Sequence, residues 1–188
     1  KGGTFMDNRY VKILASGSKA PLKATPGHFA TNHAHINYYL DMTTLKTRLS
    51  EAQEVAKHLA ERFLFDKVVD TIVCLEGTQV IGAYLAEELT RAGVLSTNAH
   101  KTIYVITPEY NSNSQMVFRE NILPMVRGKN VVILTAVVTT GLSLNKSIEA
   151  IQYYGGKLQS AAAVFSTLDE LNGCPITSIY SPADLMLH

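Results

Sequence analysis

Apolar and polar positions follow two rhythms along this chain, and its middle alternates between them. Ala52, Val55, Ala56, Leu59 and Phe63 recur at helical spacing behind Ser50 and Gln53. That pair has the spacing of a capping box, so a helix is predicted to begin at Ser50. Residues 68–75 are rich in β-branched side chains and predict a buried strand. The turn Glu76-Gly77-Thr78 follows, and Val80, Ala83, Tyr84 and residues 86–89 predict a helix ending near Gly93. Residues 103–106 and 130–135 predict two more strands. A helix over residues 142–154 has Leu144, Ile148 and Ile151 as its apolar stripe and Gly155-Gly156 as its stop. Residues 158–165 give another buried strand, and residues 176–180 a short one. Such alternation predicts an α/β fold, a mostly parallel central sheet flanked by helices.

Two stretches break the rhythm. Residues 1–45 have weak periodicity and include Pro21 and Pro26. They are expected to form a small irregular hood with a short strand near residues 36–40. The hood, an α/β core over residues 46–170 and a tail over residues 171–188 would make one domain. Residues 107–127 also lack a clear period and carry Asn111-Ser112-Asn113-Ser114. Two readings stand for this connection, a functional lid or an ordinary hairpin with an extended tip.

Composition narrows the function classes. The 188 residues are 46% hydrophobic and 18% charged, which suits a globular domain rather than a disordered chain. A formal net charge of +1 gives no electrostatic case for nucleic acid as partner. No apolar run approaches about 18 residues, so no membrane span is expected. Cys74 and Cys174 lie far apart and match no zinc spacing, so a cytoplasmic chain with free thiols is the expectation. His33 and His35 alternate as on a strand, but no third ligand accompanies them, and no metal site is assigned. The glycine patterns of dinucleotide-binding and P-loop proteins are absent.

The strongest chemical signal is in residues 131–144. The apolar run Val131-Val132-Ile133-Leu134 leads through Thr135-Ala136 to Val138-Thr139-Thr140-Gly141-Leu142-Ser143 and an amphipathic helix. A phosphate monoester needs several N–H and O–H donors on a tight curve, with the positive end of a helix behind them. Thr139, Thr140 and Ser143 supply hydroxyls, and Gly141 allows close approach of the backbone. The alternative is a plain helix cap after a buried strand.

These residues resemble the phosphoribosyl diphosphate (PRPP) signature of type I phosphoribosyltransferases. That signature has four apolar residues, two acidic residues and a Val/Ile-x-Thr-Thr-Gly-x-Ser/Thr loop. Other segments are similar to the orotate branch of the family. His35-Ile36-Asn37-Tyr38-Tyr39-Leu40-Asp41 is similar to its Ser-x-Tyr-Tyr-x-Asp segment, residues 70–83 to its diphosphate loop and helix, and residues 119–129 to the end of its mobile loop. The resemblance implies transfer of a phosphoribosyl group from magnesium-bound PRPP to orotate or a related base, in pyrimidine nucleotide metabolism. It implies that Val138, Thr139, Thr140, Gly141, Leu142 and Ser143 hold the 5′-phosphate. Thr135 would touch the ribose, Glu76, Gly77 and Thr78 would face the diphosphate, and Tyr39 and Asp41 would frame the base. Arg119 would act in catalysis, and the chain would form a homodimer. Read without the family, Tyr39 and Asp41 are equally packing and surface charge, Glu76 a turn residue and Arg119 a solvated charge.

The chain departs from the family where PRPP and diphosphate are handled. Thr135 and Ala136 stand where the acidic pair should be. A threonine can still hydrogen-bond a ribose hydroxyl; an alanine cannot, and neither brings negative charge to a forming cation. Residues 107–120 have no Lys or His, and Arg119 is their sole cation. Gln79 and Cys74 replace glycines of the pattern. Two functions follow as expectations, a phosphoribosyltransferase or a catalytically weak relative that binds nucleotide or PRPP for regulation. Returning a carboxylate at Ala136 is expected to raise turnover.

Overall fold

The computed structural model describes residues 11–14, 20–30, 35–91 and 96–186. Three strands open the described chain: β1 (Val11–Ile13), β2 (Leu22–Ala30) and β3 (His35–Asp41). They pair antiparallel in the order β1-β2-β3. The hood is therefore a small sheet rather than an irregular segment with one strand. Its second strand is masked in the sequence by Pro26 and Gly27, and the pairing with β3 shifts register between Pro26 and Phe29. A proline withholds a ladder donor and is tolerated where pairing is irregular.

Two helices follow, α1 (Thr43–Thr47) and α2 (Leu49–Leu59), the second running on as a π-type turn over Ala60–Leu64. The expected Ser50 capping box is not formed. Helix α2 starts one residue earlier, with extended Arg48 as its cap (φ −81°, ψ 122°) and no side-chain cap bond. The corner between the helices sets this start. Leu45 is fully buried, and the Thr44 hydroxyl donates to Glu51 Oε1 at 3.0 Å.

Strand and helix then alternate as expected. Strand β4 (Thr71–Cys74) leads to α3 (Gln79–Thr90) and β5 (Tyr104–Ile106). Gly93, the expected stop of α3, lies outside the described residues. A hairpin of β6 (Glu109–Tyr110) and β7 (Met116–Val117) occupies the aperiodic connection. Next come β8 (Asn130–Val138), α4 (Leu142–Tyr153), β9 (Lys157–Ser166), β10 (Glu170–Leu171), β11 (Cys174–Tyr180) and α5 (Pro182–Met186).

The central sheet has six strands in the order β10-β11-β9-β8-β4-β5. Every pairing is parallel except β10 with β11. Strand β11 lies inside this sheet, so Cys174–Tyr180 of the expected tail are part of the central sheet. Side chains alternate faces along a strand. On β8, Val132 and Leu134 pack toward α2 and α3, whereas Val131 and Ile133 pack toward α4. The first of these clusters also contains Ile13, Leu22 and Ala24 of the hood. The Tyr180 hydroxyl, buried, donates to the Ala20 carbonyl at 2.9 Å and joins hood to sheet.

Candidate functional site

In a parallel sheet flanked by helices, ligand sites form beyond the carboxyl ends of the strands. Strand β8 ends there at Val138, and three residues separate it from α4. Gly141 is the cap of α4, with φ 82°. A Cβ at Gly141 would meet Leu168 Cδ1 at 3.0 Å and Leu171 Cδ2 at 3.1 Å. Glycine is thus required both for the left-handed backbone and for space. The loop is fastened from below. Thr167 N donates to the Val138 carbonyl at 3.0 Å, and the Thr167 hydroxyl donates to the Thr139 carbonyl.

The upper side of the loop is open. The amides of Thr140, Gly141, Ser143 and Leu144 have no acceptor within the protein among the described residues. Ser143 and Leu144 belong to the first turn of a twelve-residue helix and Thr140 and Gly141 lead into it, where unpaired N–H groups and the helix dipole favour an anion. They border a cavity of about 110 Å³. Thr135, Val138, Thr139, Thr140, Gly141, Leu142 and Ser143 all line it, and Glu76 closes one side. The structure therefore gathers the predicted phosphate loop, Thr135 and Glu76 around one small hollow.

Ala136 is not part of that hollow. It is 2% exposed and packs in the α2–α3 side of the core. A carboxylate returned there would enter apolar packing, which corrects the expectation attached to this position.

Glu76 and Gly77 both adopt positive φ, 55° and 74°. The Thr78 hydroxyl turns back to the sheet, donating to the Leu75 carbonyl at 2.7 Å and the Leu134 carbonyl at 3.2 Å. Of the three residues of this turn, Thr78 contributes its hydroxyl to the fold and not to the cleft. Cys74 lies beneath the turn. Burial pushes its thiol up to about 12, so it stays protonated near neutral pH and packs as a small apolar group.

Lys46, which the sequence did not point out, touches the turn beside the small cavity but lines neither space. Its Nζ donates to the Glu76 carbonyl at 3.0 Å. The two residues are 30 positions apart, and no local pattern joins them.

The hairpin does not cover the small cavity. It walls a larger cleft of about 1070 Å³, with Tyr110, Gln115 and Met116 on one side and Lys146, Glu149 and Tyr153 of α4 on the other. Leu75, Glu76 and Ser143 border both spaces. Burial, and then the Glu76 carboxylate, push the Tyr110 hydroxyl above its ordinary range. Arg119 lies at the base of the hairpin, where its Nε donates to Glu109 Oε2 at 2.8 Å, and it borders neither space.

Tyr39 and Asp41 also lie outside both linings. Tyr39 is exposed, and Asp41 Oδ1 accepts from Thr43 N at 2.9 Å at the start of α1. The bonds from Thr43, backbone first, hold the Asp41 carboxyl below its usual range, with help from Lys23 and Lys46. Among the described residues no group of three or more His, Cys, Asp or Glu could hold a metal ion. His33 lies outside them. Cys74 and Cys174 are free thiols.

No protein-family model matches the sequence, and no curated protein matches it. Solved structures do. The orotate phosphoribosyltransferase of Aeropyrum pernix superposes with a TM-score of 0.59 at 19% identity, covering 87% of this chain and 91% of that one. The chain has the type I phosphoribosyltransferase fold. Leishmania donovani UMP synthase matches with a TM-score of 0.63 at 18% identity over 87% of this chain. This chain spans about a third of that protein, 34% of its length. The adenine phosphoribosyltransferase of Trypanosoma brucei, solved with AMP, pyrophosphate and ribose-5-phosphate, matches with a TM-score of 0.57 at 11% identity, covering 87% and 77% of the two chains. At these identities it is the phosphoribosyltransferase fold that is shared. Among the described residues no helix is long and apolar enough to cross a membrane.

Proposed function

We propose that the chain is a phosphoribosyltransferase of the orotate type, taking magnesium-bound PRPP and orotate or a related base to nucleoside monophosphate and diphosphate. The observation that carries this reading is the hollow over residues 139–144, where the amides of Thr140, Gly141, Ser143 and Leu144 have no acceptor among the described residues, while Leu142 N donates to Thr140 Oγ1 at 3.4 Å. A 5′-phosphate seated there puts the ribose toward Thr135 on the cavity wall. Of the turn, Glu76 borders the same space and Gly77 does not; the positive-φ turn beside the cavity would face the diphosphate. Magnesium would enter as part of the substrate, and the exposed Glu76 carboxylate could meet its water ligands.

In the reaction the bond from ribose C1 to diphosphate oxygen breaks with its electron pair on oxygen. A nitrogen lone pair of the base forms the new bond to C1. Between the two events C1 is cationic, so the protein's tasks are to hold the base in line, neutralise the leaving group and exclude water. Thr135 offers the ribose a hydroxyl but no charge. That one substitution favours a second reading, in which the same loop holds a nucleotide or PRPP for regulation and turnover is slight.

Calorimetry with ribose 5-phosphate tests the shared element of both readings. Binding is expected in the wild type. Replacing both Thr139 and Thr140 by Val removes two hydroxyl donors and should weaken binding about 10- to 100-fold. Unchanged affinity would move the phosphate elsewhere. Loss of orotate absorbance with magnesium and PRPP present then separates enzyme from binder. We further propose a homodimer acting in the cytoplasm; sedimentation of the purified chain checks its assembly.

A further inference from the structure

We propose that Lys46 is the cation that receives the diphosphate in this chain. The inference rests on the phosphoribosyl reading above and deepens it. A departing diphosphate carries several negative charges, so its site requires a positive partner. The hairpin does not furnish one. Residues 107–120 contain a single cation, Arg119, which is paired with Glu109 at 2.8 Å away from the cavities. The Glu76 carboxylate adds negative charge to the same region.

Lys46 reaches the turn from the opposite side; it lines neither cavity, but it touches the backbone of Glu76, which borders both. Asp41 fixes the start of α1 through its bond to Thr43 N, and fully buried Leu45 anchors the helix to the core. The next residue is then carried over the diphosphate turn. Its Nζ is 3.0 Å from the Glu76 carbonyl and 3.9 Å from where a Cβ of Gly77 would stand. The ammonium has three donors, and this carbonyl takes one of them. The carboxylate of Glu76 borders the hairpin cleft and raises the Tyr110 hydroxyl's affinity for its proton, whereas Lys46 contacts the backbone of the turn. Two other cations could compete for the role. Lys146 lines the hairpin cleft, and Lys23 donates to the Thr44 hydroxyl at 3.2 Å. Neither is placed on the Glu76–Gly77 turn.

The test is calorimetry on the whole chain with two probes, magnesium–PRPP and ribose 5-phosphate. Lys46→Gln should lose about 10- to 100-fold in PRPP affinity, the worth of a charge-assisted bond, and keep its ribose 5-phosphate affinity within about twofold. Lys46→Arg, which keeps the charge, should bind PRPP nearly as the wild type does. Lys157, exposed at the start of β9 and in neither lining, gives the control, and Lys157→Gln should leave both affinities in place. Equal PRPP binding by wild type and Lys46→Gln overturns the inference. So does an equal loss for both probes, or a larger PRPP-specific loss in Lys146→Gln. In each of these cases wild-type binding of ribose 5-phosphate leaves the phosphate reading standing. A wild type that binds neither probe overturns both.

Discussion

At the scale of single residues, the two positions that replace the acidic pair have different surroundings. Thr135 is 3% exposed yet lines the small cavity, and Ala136 is 2% exposed and lies in apolar packing. Thr135→Asp should therefore put a carboxylate beside the ribose and raise any PRPP-dependent rate at least about tenfold, since a well-placed charge commonly counts for more. Ala136→Asp should instead cost about 3 kcal/mol or more of stability by burying an unpaired charge. Urea melts of the two variants beside rate measurements separate these outcomes; a faster Ala136→Asp enzyme with an unchanged melt would reverse the assignment. The position of the loop between β8 and α4 was legible in the sequence because its hydroxyl and glycine residues are consecutive between an apolar run and a helical stripe. Lys46 was not, because its partner is 30 positions away and α1 holds only five residues. The roles of Thr78 and Arg119 were also hidden. A side chain's hydrogen-bond partner is a property of the folded neighbourhood and leaves no periodic trace.

At the scale of elements, the sheet and its long helices were legible, and of the hood only β3 was. Buried parallel strands have only apolar solutions, so β4, β8 and β9 show as β-branched or alanine-rich runs. Strand β2 is interrupted by Pro26 and Gly27, and β1 has only three residues, so neighbours fix both. Close packing of α3 on the sheet shows how such neighbours set residue identity. A Cβ on Gly82 would stand 2.4 Å from Cys74 Sγ and 3.2 Å from Val105 Cγ1. Gly82 and Cys74 thus divide one volume between helix and strand. Gly82→Ala should destabilise by about 1–3 kcal/mol, the usual cost of overpacking. Adding Cys74→Ala should return part of that loss, giving a coupling energy in a double-mutant cycle. Strict additivity of the two changes would show that the contact is relieved elsewhere.

At the scale of the whole molecule, one core cluster runs from the hood through α2 and α3 to the sheet. The loop after β8, the turn after β4 and Lys46 of α1 are carried by elements of this packing, and their spacing depends on it. The position of β11 within the sheet bears on a different property. Its partner β9 presents Ala161, Ala162, Ala163, Val164 and Phe165, all buried, and pairs with β11 along that stretch. A chain cut after residue 170 would uncover this ladder as a flat, uncharged edge, free to recruit the same edge of another copy. Such a fragment should form light-scattering particles at concentrations where the longer chain stays dispersed. The final strand would then act as a guard against fibre-like self-association as well as a part of the scaffold.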